Sequence, residues 1–118
     1  MSASSGLWHV TLTVAGDELS PGEVLAALER LSAERPFFLS GRYSAGRAEL
    51  RYWEEARDCG DAAAMALRVW FDHRESASLP PWQVVALEVV AREEHQRRDG
   101  MVVVPAGGWR PFDDAYGA

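Results

Sequence analysis

The single cysteine of the chain is the most nucleophilic side chain that the sequence offers. Cys59 stands in the stretch EEARDCGD, residues 54–61, directly before an alanine-rich segment with helical patterning. A thiolate in the first turn of a helix is favoured by the helix dipole. Four carboxylates lie close to Cys59 in sequence, however, and only Arg57 opposes them. Because negative neighbours disfavour a further negative charge, we expect a bystander thiol rather than a nucleophile.

Histidine is the next side chain that could carry acid–base or metal chemistry. The spacing of His9, His73 and His95 matches no metal-ligand motif. Glu93 and His95 would share one face of a continued strand, although such pairs are more often solvated surface. The sequence also has no phosphate-binding loop, nucleophile elbow or dinucleotide-binding motif. We therefore predict no metal, no cofactor and no catalytic residue, with His9 as the one alternative because histidine titrates near neutrality.

Charge and composition exclude several classes of partner. The formal net charge is -6 and the sequence pI is about 5.0, which disfavours binding to nucleic acid and to anionic lipid. One cysteine cannot form an internal disulfide, which fits a reducing compartment. The first ten residues resemble no signal peptide, and the apolar runs are too short to span a membrane. We expect a cytoplasmic protein, and the richness in Ala, Arg and Glu is typical of high-GC bacteria.

The first half of the chain predicts a strand, a helix and a hairpin. In LWHVTLTV, residues 7–14, apolar residues alternate with His9 and threonines, as they do in a half-buried strand. Ser20 is placed to cap a helix, with proline at the next position and Glu23 completing a capping box. Pro36 ends that helix. Residues 37–56 then alternate on both sides of the turn SAG, which predicts a hairpin.

The second half predicts one more helix and one long strand. Residues 58–76 show helical spacing, with Met65, Ala66, Val69 and Trp70 on one face. Residues 82–94 alternate as a fourth strand, with Val85, Leu87, Val89 and Ala91 on one side and Trp82, Val84, Ala86 and Glu88 on the other. HQRRDG reads as a polar turn, and MVVV, residues 101–104, as a short fifth strand.

This order of elements predicts the fold class. Strand, helix, strand, strand, helix, strand is the α+β, ferredoxin-like βαββαβ pattern, an antiparallel sandwich with two helices on one face of the sheet. A short C-terminal strand or tail would follow. We expect one domain over residues 1–118, with a core at about 7–94 and an extension at 95–118. Because this fold hosts many activities, it does not select a function.

The sheet face away from the helices is the predicted functional surface. The first and third strands would be central, so His9 and Thr11 would lie beside Arg51 and Trp53, with Arg42 on the second strand. Such a face could be an interface between proteins, a solvated surface with ion pairs, or the wall of a small-ligand pocket. The aromatic residues of the tail, Trp109, Phe112 and Tyr116, are unfavourable in water. We expect WRPF to pack against this chain or a partner subunit, with the open face as one docking surface; the alternative is a disordered tail.

Two functional hypotheses follow. The first is a non-enzymatic module for self-association or protein interaction, a homodimer or a complex with a protein partner, that uses His9, Thr11, Arg42, Arg51, Trp53, Trp109 and Phe112. The alternative is a small-ligand sensor or small enzyme of the dimeric α+β barrel type. In that alternative His9 would be the acid or base, Arg42 or Arg51 would hold an anionic substrate, and Trp53 would form an apolar wall.

Overall fold

The fold is one mixed sheet with helices packed on it. The structure is a computed structural model and describes residues 5–35, 38–99 and 108–112. Its elements are β1 (Gly6–Ala15), α1 (Pro21–Glu34), β2 (Phe38–Ser44), β3 (Arg47–Ala56), α2 (Cys59–His73), β4 (Gln83–Ala91), α3 (Arg92–Asp99) and β5 (Trp109–Pro111).

The five strands are arranged in the order β4-β1-β3-β2-β5. All neighbours are antiparallel except β2 and β5, which are parallel. The predicted α+β class is confirmed. The four-stranded ferredoxin-like arrangement is not matched by the whole sheet, because a fifth strand joins β2 and a third helix follows β4. The predicted strand at residues 101–104 lies outside the described residues.

Local capping determines where the two long helices begin. The Ser20 hydroxyl accepts a hydrogen bond from the Glu23 backbone N–H at 3.2 Å and donates one to the Glu23 carboxylate at 3.0 Å. The first hydrogen bond is the N-cap half of the predicted capping box, whereas the Glu23 carboxylate bonds the Ser20 hydroxyl and not the Ser20 backbone N–H. At the start of α2 the Asp58 carboxylate accepts from the Asp61 backbone N–H at 2.8 Å. Both caps satisfy N–H groups that a helix otherwise leaves without partners.

The core lies between one face of the sheet and helices α1 and α2. Its fully buried side chains come from the central strands and from α1: Val10, Leu12, Val14, Val24, Leu28, Leu31, Leu50 and Tyr52. The helix α2 adds Ala66, Val69 and Trp70 to this cluster. Met65 was expected on the same face of α2 but is exposed. Among the described helices, none is long and apolar enough to cross a membrane.

A β-bulge in β4 reverses the predicted placement of its first half. Thr13 is opposite Ala86, while Val14 is opposite Val84, so Val85 is the extra residue. Trp82 was predicted on the open face but is buried in the core, where its ring stacks on Trp70 with centroids 6.1 Å apart. Its indole N–H also donates to the Asp17 carbonyl at 2.9 Å. Because an extra residue shifts the alternation by one, Val85 is exposed instead.

The fourth strand ends earlier than predicted. It stops at Ala91, and the polar residues REEHQRRD form the helix α3 rather than a strand end and a turn. Acidic residues in the first turn and basic residues in the last complement the helix dipole. Glu94 accepts hydrogen bonds from Arg97 and Arg98, one turn later. These hydrogen bonds lower the pKa of the Glu94 carboxyl below its usual value.

The bulge can be tested by comparing neighbouring valines. We expect Val84→Ala to lower the free energy of unfolding by about 1 kcal/mol, because Val84 packs against the core. Val85→Ala should change it by less than about 0.5 kcal/mol, as is usual for exposed positions. Urea unfolding of the two variants measures the difference. The opposite ranking would contradict the bulge.

Candidate functional site

The predicted open face brings four of its candidate residues together. In the β1–β3 register His9 is opposite Trp53, and Thr11 is opposite Arg51. On the outer side of β3, Arg42 is opposite Glu49. The central position of β1 and β3 therefore places these side chains as neighbours, as expected. Their role in function stays a prediction.

Three aromatic rings form a cluster on this face. His9 is only 7% exposed, and its ring lies 4.0 Å from that of His95 and 5.0 Å from that of Trp53, centroid to centroid. Trp53 and His95 meet edge to face at 5.1 Å. We call His9, Trp53 and His95 the ring cluster. The sequence prediction missed His95 as a member, because it placed this residue on a strand or turn and not on a helix that folds back over β1.

The ring cluster connects α3 to the sheet. The helix is otherwise polar, and an ion pair between Arg98 and Glu88 at 3.4 Å also links it to β4. Two imidazoles beside an indole can hold a flat or hydrogen-bonding group. Among the described residues no group of three or more His, Cys, Asp or Glu side chains is arranged to hold a metal ion.

The outer half of the face is charged and internally paired. Arg42 donates two hydrogen bonds to the Glu49 carboxylate, at 3.0 and 3.1 Å. Arg51 approaches the same carboxylate at 3.9 Å. One carboxylate thus partly neutralises both candidate anion-binding arginines, and a bound anion would have to compete with Glu49.

The C-terminal aromatic residues pack on this chain, at the outer edge of the sheet. Trp109 is opposite Gly41 in the β2–β5 register, and its indole N–H donates to the Ser32 hydroxyl on α1 at 2.9 Å. Trp109 therefore lies on the helix side of the sheet and not over the open face. Phe112 follows β5, and its ring lies 5.0 Å from the Arg42 guanidinium. The parallel register alternates the tail residues between the two sides of the sheet.

The remaining reactive side chains lie on the helices. Cys59 is exposed at the first position of α2. His73, at the end of the same helix, lies 2.7 Å from a Glu34 carboxylate oxygen, which also accepts a hydrogen bond from Ser76. These two hydrogen bonds, with that from Ser76 the stronger cause, lower the pKa of Glu34. The interpretation of Cys59 as a bystander stays a prediction.

A groove lies between α2 and β4, which is an edge strand of the sheet among the described residues. Its volume is about 330 Å³, and two further cavities have volumes of about 260 and 220 Å³. We call it the α2–β4 groove, and its apolar lining is Leu67, Trp70, Phe71, Pro81, Trp82 and Val84. None of these three cavities is lined by His9, Arg51 or Trp53.

The rim of the α2–β4 groove exposes large apolar side chains. Phe71 is 73% exposed and Leu67 is 50% exposed, one helical turn apart. On the bulge of the neighbouring strand Val85 is 54% exposed, although it is not among the residues that line the groove. The sequence prediction placed Val85 on the core side of β4 and therefore did not indicate an exposed apolar surface at this edge of the sheet. A clustered set of exposed apolar side chains marks an interaction surface more often than isolated ones do.

The comparisons with known proteins identify a family. A family model described as "Domain of unknown function (DUF8830)" matches residues 7–104. Since this span is most of the chain, the protein belongs to that family. No curated protein and no solved structure matches the chain.

The role of the ring cluster can be tested on α3. We expect His95→Ala to speed hydrogen exchange of the backbone amides of residues 92–99 by about five- to tenfold, because ring pairs contribute roughly 1 kcal/mol. Gln96→Ala, at an exposed position of the same helix, is the matched control and should leave exchange unchanged. Hydrogen-exchange mass spectrometry measures both variants. Equal exchange in the two would mean that the ring cluster does not hold α3.

Proposed function

We propose that this member of the DUF8830 family is a non-enzymatic module that self-associates through β4 and the α2–β4 groove. The observation that carries the proposal is the exposed apolar rim beside a strand edge that no other described strand pairs with. The surface differs from the open face favoured by the sequence, because α3 covers part of that face and Trp109 packs on the helix side.

The free edge of β4 has few of the features that prevent strands from pairing with other molecules. Within the described residues β4 pairs only with β1, so its outer N–H and C=O groups face away from the sheet. Natural edge strands usually carry lysine, proline or inward charges that block further pairing. In β4 the one charged side chain is Glu88, and there is no proline. Of the features that oppose further strand pairing, the described β4 has the bulge at Val85, which lies near the N-terminal end of the strand.

A second copy of the chain is a fitting partner for this edge. Two β4 strands that pair antiparallel about Leu87 would place each Glu88 beside Ala86 of the other copy, so that the carboxylates do not oppose each other. The α2 helix packs against β4, so the two α2 helices would become neighbours in the same layer. Leu67 and Phe71 would then be buried between the subunits, which is the main source of affinity in such interfaces.

The same proposal includes a finer description of the fold. We take the first four strands with α1 and α2 as a ferredoxin-like unit that α3 and β5 extend. The support is that β1 and β3 are central and that α1 and α2 contribute to one core. Pairing through β4 would join two such units into one continuous sheet.

A second candidate function is the binding of a small ligand at the ring cluster. The observation that favours it is the near-complete burial of His9 between two other rings, beside the charged group of Arg51 and Glu49. This is the surface that a dimeric α+β barrel would use, with His9 as the acid or base and Trp53 as an apolar wall.

Self-association can be tested by placing a charge on the β4 edge. We expect Val85→Lys to raise the dimer dissociation constant by about 100-fold or more, because an edge lysine blocks strand pairing and loses apolar burial. Leu7→Lys is the matched control, since Leu7 is an exposed apolar residue on β1 and not on that edge. Sedimentation equilibrium measures both. A wild-type chain that stays monomeric up to about 100 μM contradicts the proposal, since specific interfaces of standard size are tighter.

The ligand hypothesis has a separate readout. If it holds, native mass spectrometry of the freshly purified protein should show a retained small molecule, and His9→Ala should lose it. Val85→Lys should keep the extra mass while losing the dimer. Unchanged retention in His9→Ala would remove the ring cluster from consideration.

A further inference from the structure

The helix α3 has an unusual composition for a helix that packs on a sheet. Its sequence, REEHQRRD, contains no apolar residue. It nevertheless contacts β1 and β4. A helix that is polar all round is not held by the burial of an apolar face, and an isolated helix of this length is marginal in water. The helical state of α3 therefore depends on the contacts that its polar side chains make with the strands.

The ring cluster supplies two imidazoles to these contacts. His95 on α3 lies over His9 with the ring centroids 4.0 Å apart, and Trp53 contacts the two rings at 5.0 and 5.1 Å. His9 is nearly buried, with 7% of its surface exposed, whereas His95 is half-buried. The contact between α3 and β1 thus joins one buried and one partly exposed imidazole.

This arrangement limits the number of protons that the pair can hold. A histidine in water gains a proton just below neutral pH. One proton is tolerated in the ring cluster, because the indole of Trp53 attracts a nearby cation. A second proton would bring two positive charges together and would charge the nearly buried His9, and both effects are unfavourable. At mildly acid pH the docked pair therefore holds one proton fewer than the same two residues hold in water.

The charges around the ring cluster do not titrate in the same range. They come from three elements: Arg51 and Glu55 on β3, Glu88 on β4, and Arg92, Glu94 and Arg98 on α3. Guanidinium groups stay charged, and carboxyl groups ordinarily titrate near about pH 4. Hydrogen bonds from Arg97 and Arg98 lower the pKa of Glu94 further. Just below neutrality the imidazoles are therefore the groups that change charge.

We propose that α3 is a pH-dependent lid over His9 and Trp53. The lid stays docked while the His9–His95 pair carries at most one proton, and it is released when the pH falls and the second proton binds. Once released, the short polar helix loses the contacts that maintain it, and the two strand residues become accessible. The inference does not rest on self-association, because it concerns the ring cluster and not the β4 edge.

The test is hydrogen-exchange mass spectrometry of the full-length chain at about pH 7.5 and about pH 5.5, a range in which histidine titrates. The exchange rate of residues 92–99 is divided by the intrinsic rate at each pH. We expect this corrected rate to rise about tenfold at the lower pH, because the released pair binds one proton more than the docked pair. The amides of β1 and β3 should stay protected, which distinguishes release of the lid from unfolding of the sheet.

Two variants of His9 separate its titration from its packing. His9→Phe keeps a ring beneath His95 but removes the buried titrating group, so its corrected rate should differ by less than about twofold between the two pH values. His9→Asn, which loses the ring, should exchange faster than wild type at both pH values and should likewise lack the response. Circular dichroism confirms that each variant is folded.

Two further variants are controls for the remaining groups. Glu88→Gln weakens the ion pair with Arg98 at both pH values, so it should raise the corrected rate equally at both and keep the tenfold response. His73→Gln should leave the response unchanged, because His73 contacts Glu34 on α1 and not the ring cluster.

Three results would overturn the inference. A corrected rate that is the same at both pH values in wild type would mean that the imidazole pair does not control α3. A response that persists in folded His9→Phe and His9→Asn would assign it to another group. Loss of the response in Glu88→Gln or His73→Gln would assign it to that side chain instead. None of these results depends on the dimer dissociation constant, so failure here is distinguishable from failure of the Val85→Lys test.

Discussion

The antiparallel pairing of β1 with β3 is the interaction on which the rest of the structure depends. Its register runs without a shift from Gly6 opposite Ala56 to Ala15 opposite Arg47. Because side chains alternate along a strand, this one register places Val10 and Leu50 in the core and His9 and Trp53 on the other face. The other surfaces of the sheet are positioned by this pair of strands: the ring cluster lies on it, and β4 and β2 flank it.

The flanking strands depart from that regularity, and these departures shape both edges of the sheet. In β4 the extra residue at Val85 turns Trp82 into the core and a valine out to the edge. In β2 a second register shift lies between Phe38 and Ser40 and places Phe38 opposite Tyr52. Further along the same strand, Gly41 leaves space for the Trp109 ring of β5. Irregular strands at sheet edges commonly redirect side chains in this way.

The sequence predicts those features that depend on local signals. The N-cap at Ser20 and the alternation around Leu12 need no knowledge of distant residues, and both predictions are confirmed. The position of Trp82 could not be predicted, because a bulge depends on which stacking partners the folded chain offers, here Trp70. The placement of His95 on a helix has a weaker local signal. The spacing of Glu94 from Arg97 and Arg98 is typical of a helix, but the strand alternation before it leads directly into this segment.

The two edges of the sheet meet the same physical requirement in opposite ways. An exposed strand edge carries unpaired hydrogen-bonding groups, and these are stabilised by a further strand. At β2 the chain supplies that strand itself, with Trp109 seated on Gly41 and bonded to Ser32. At β4 the described chain supplies none, and the exposed Phe71 and Leu67 line the adjacent groove. The β4 edge is therefore the surface where an external strand gains the most binding free energy, because it finds both unpaired backbone groups and exposed apolar side chains. At the β2 edge an external strand must first displace the chain's own β5.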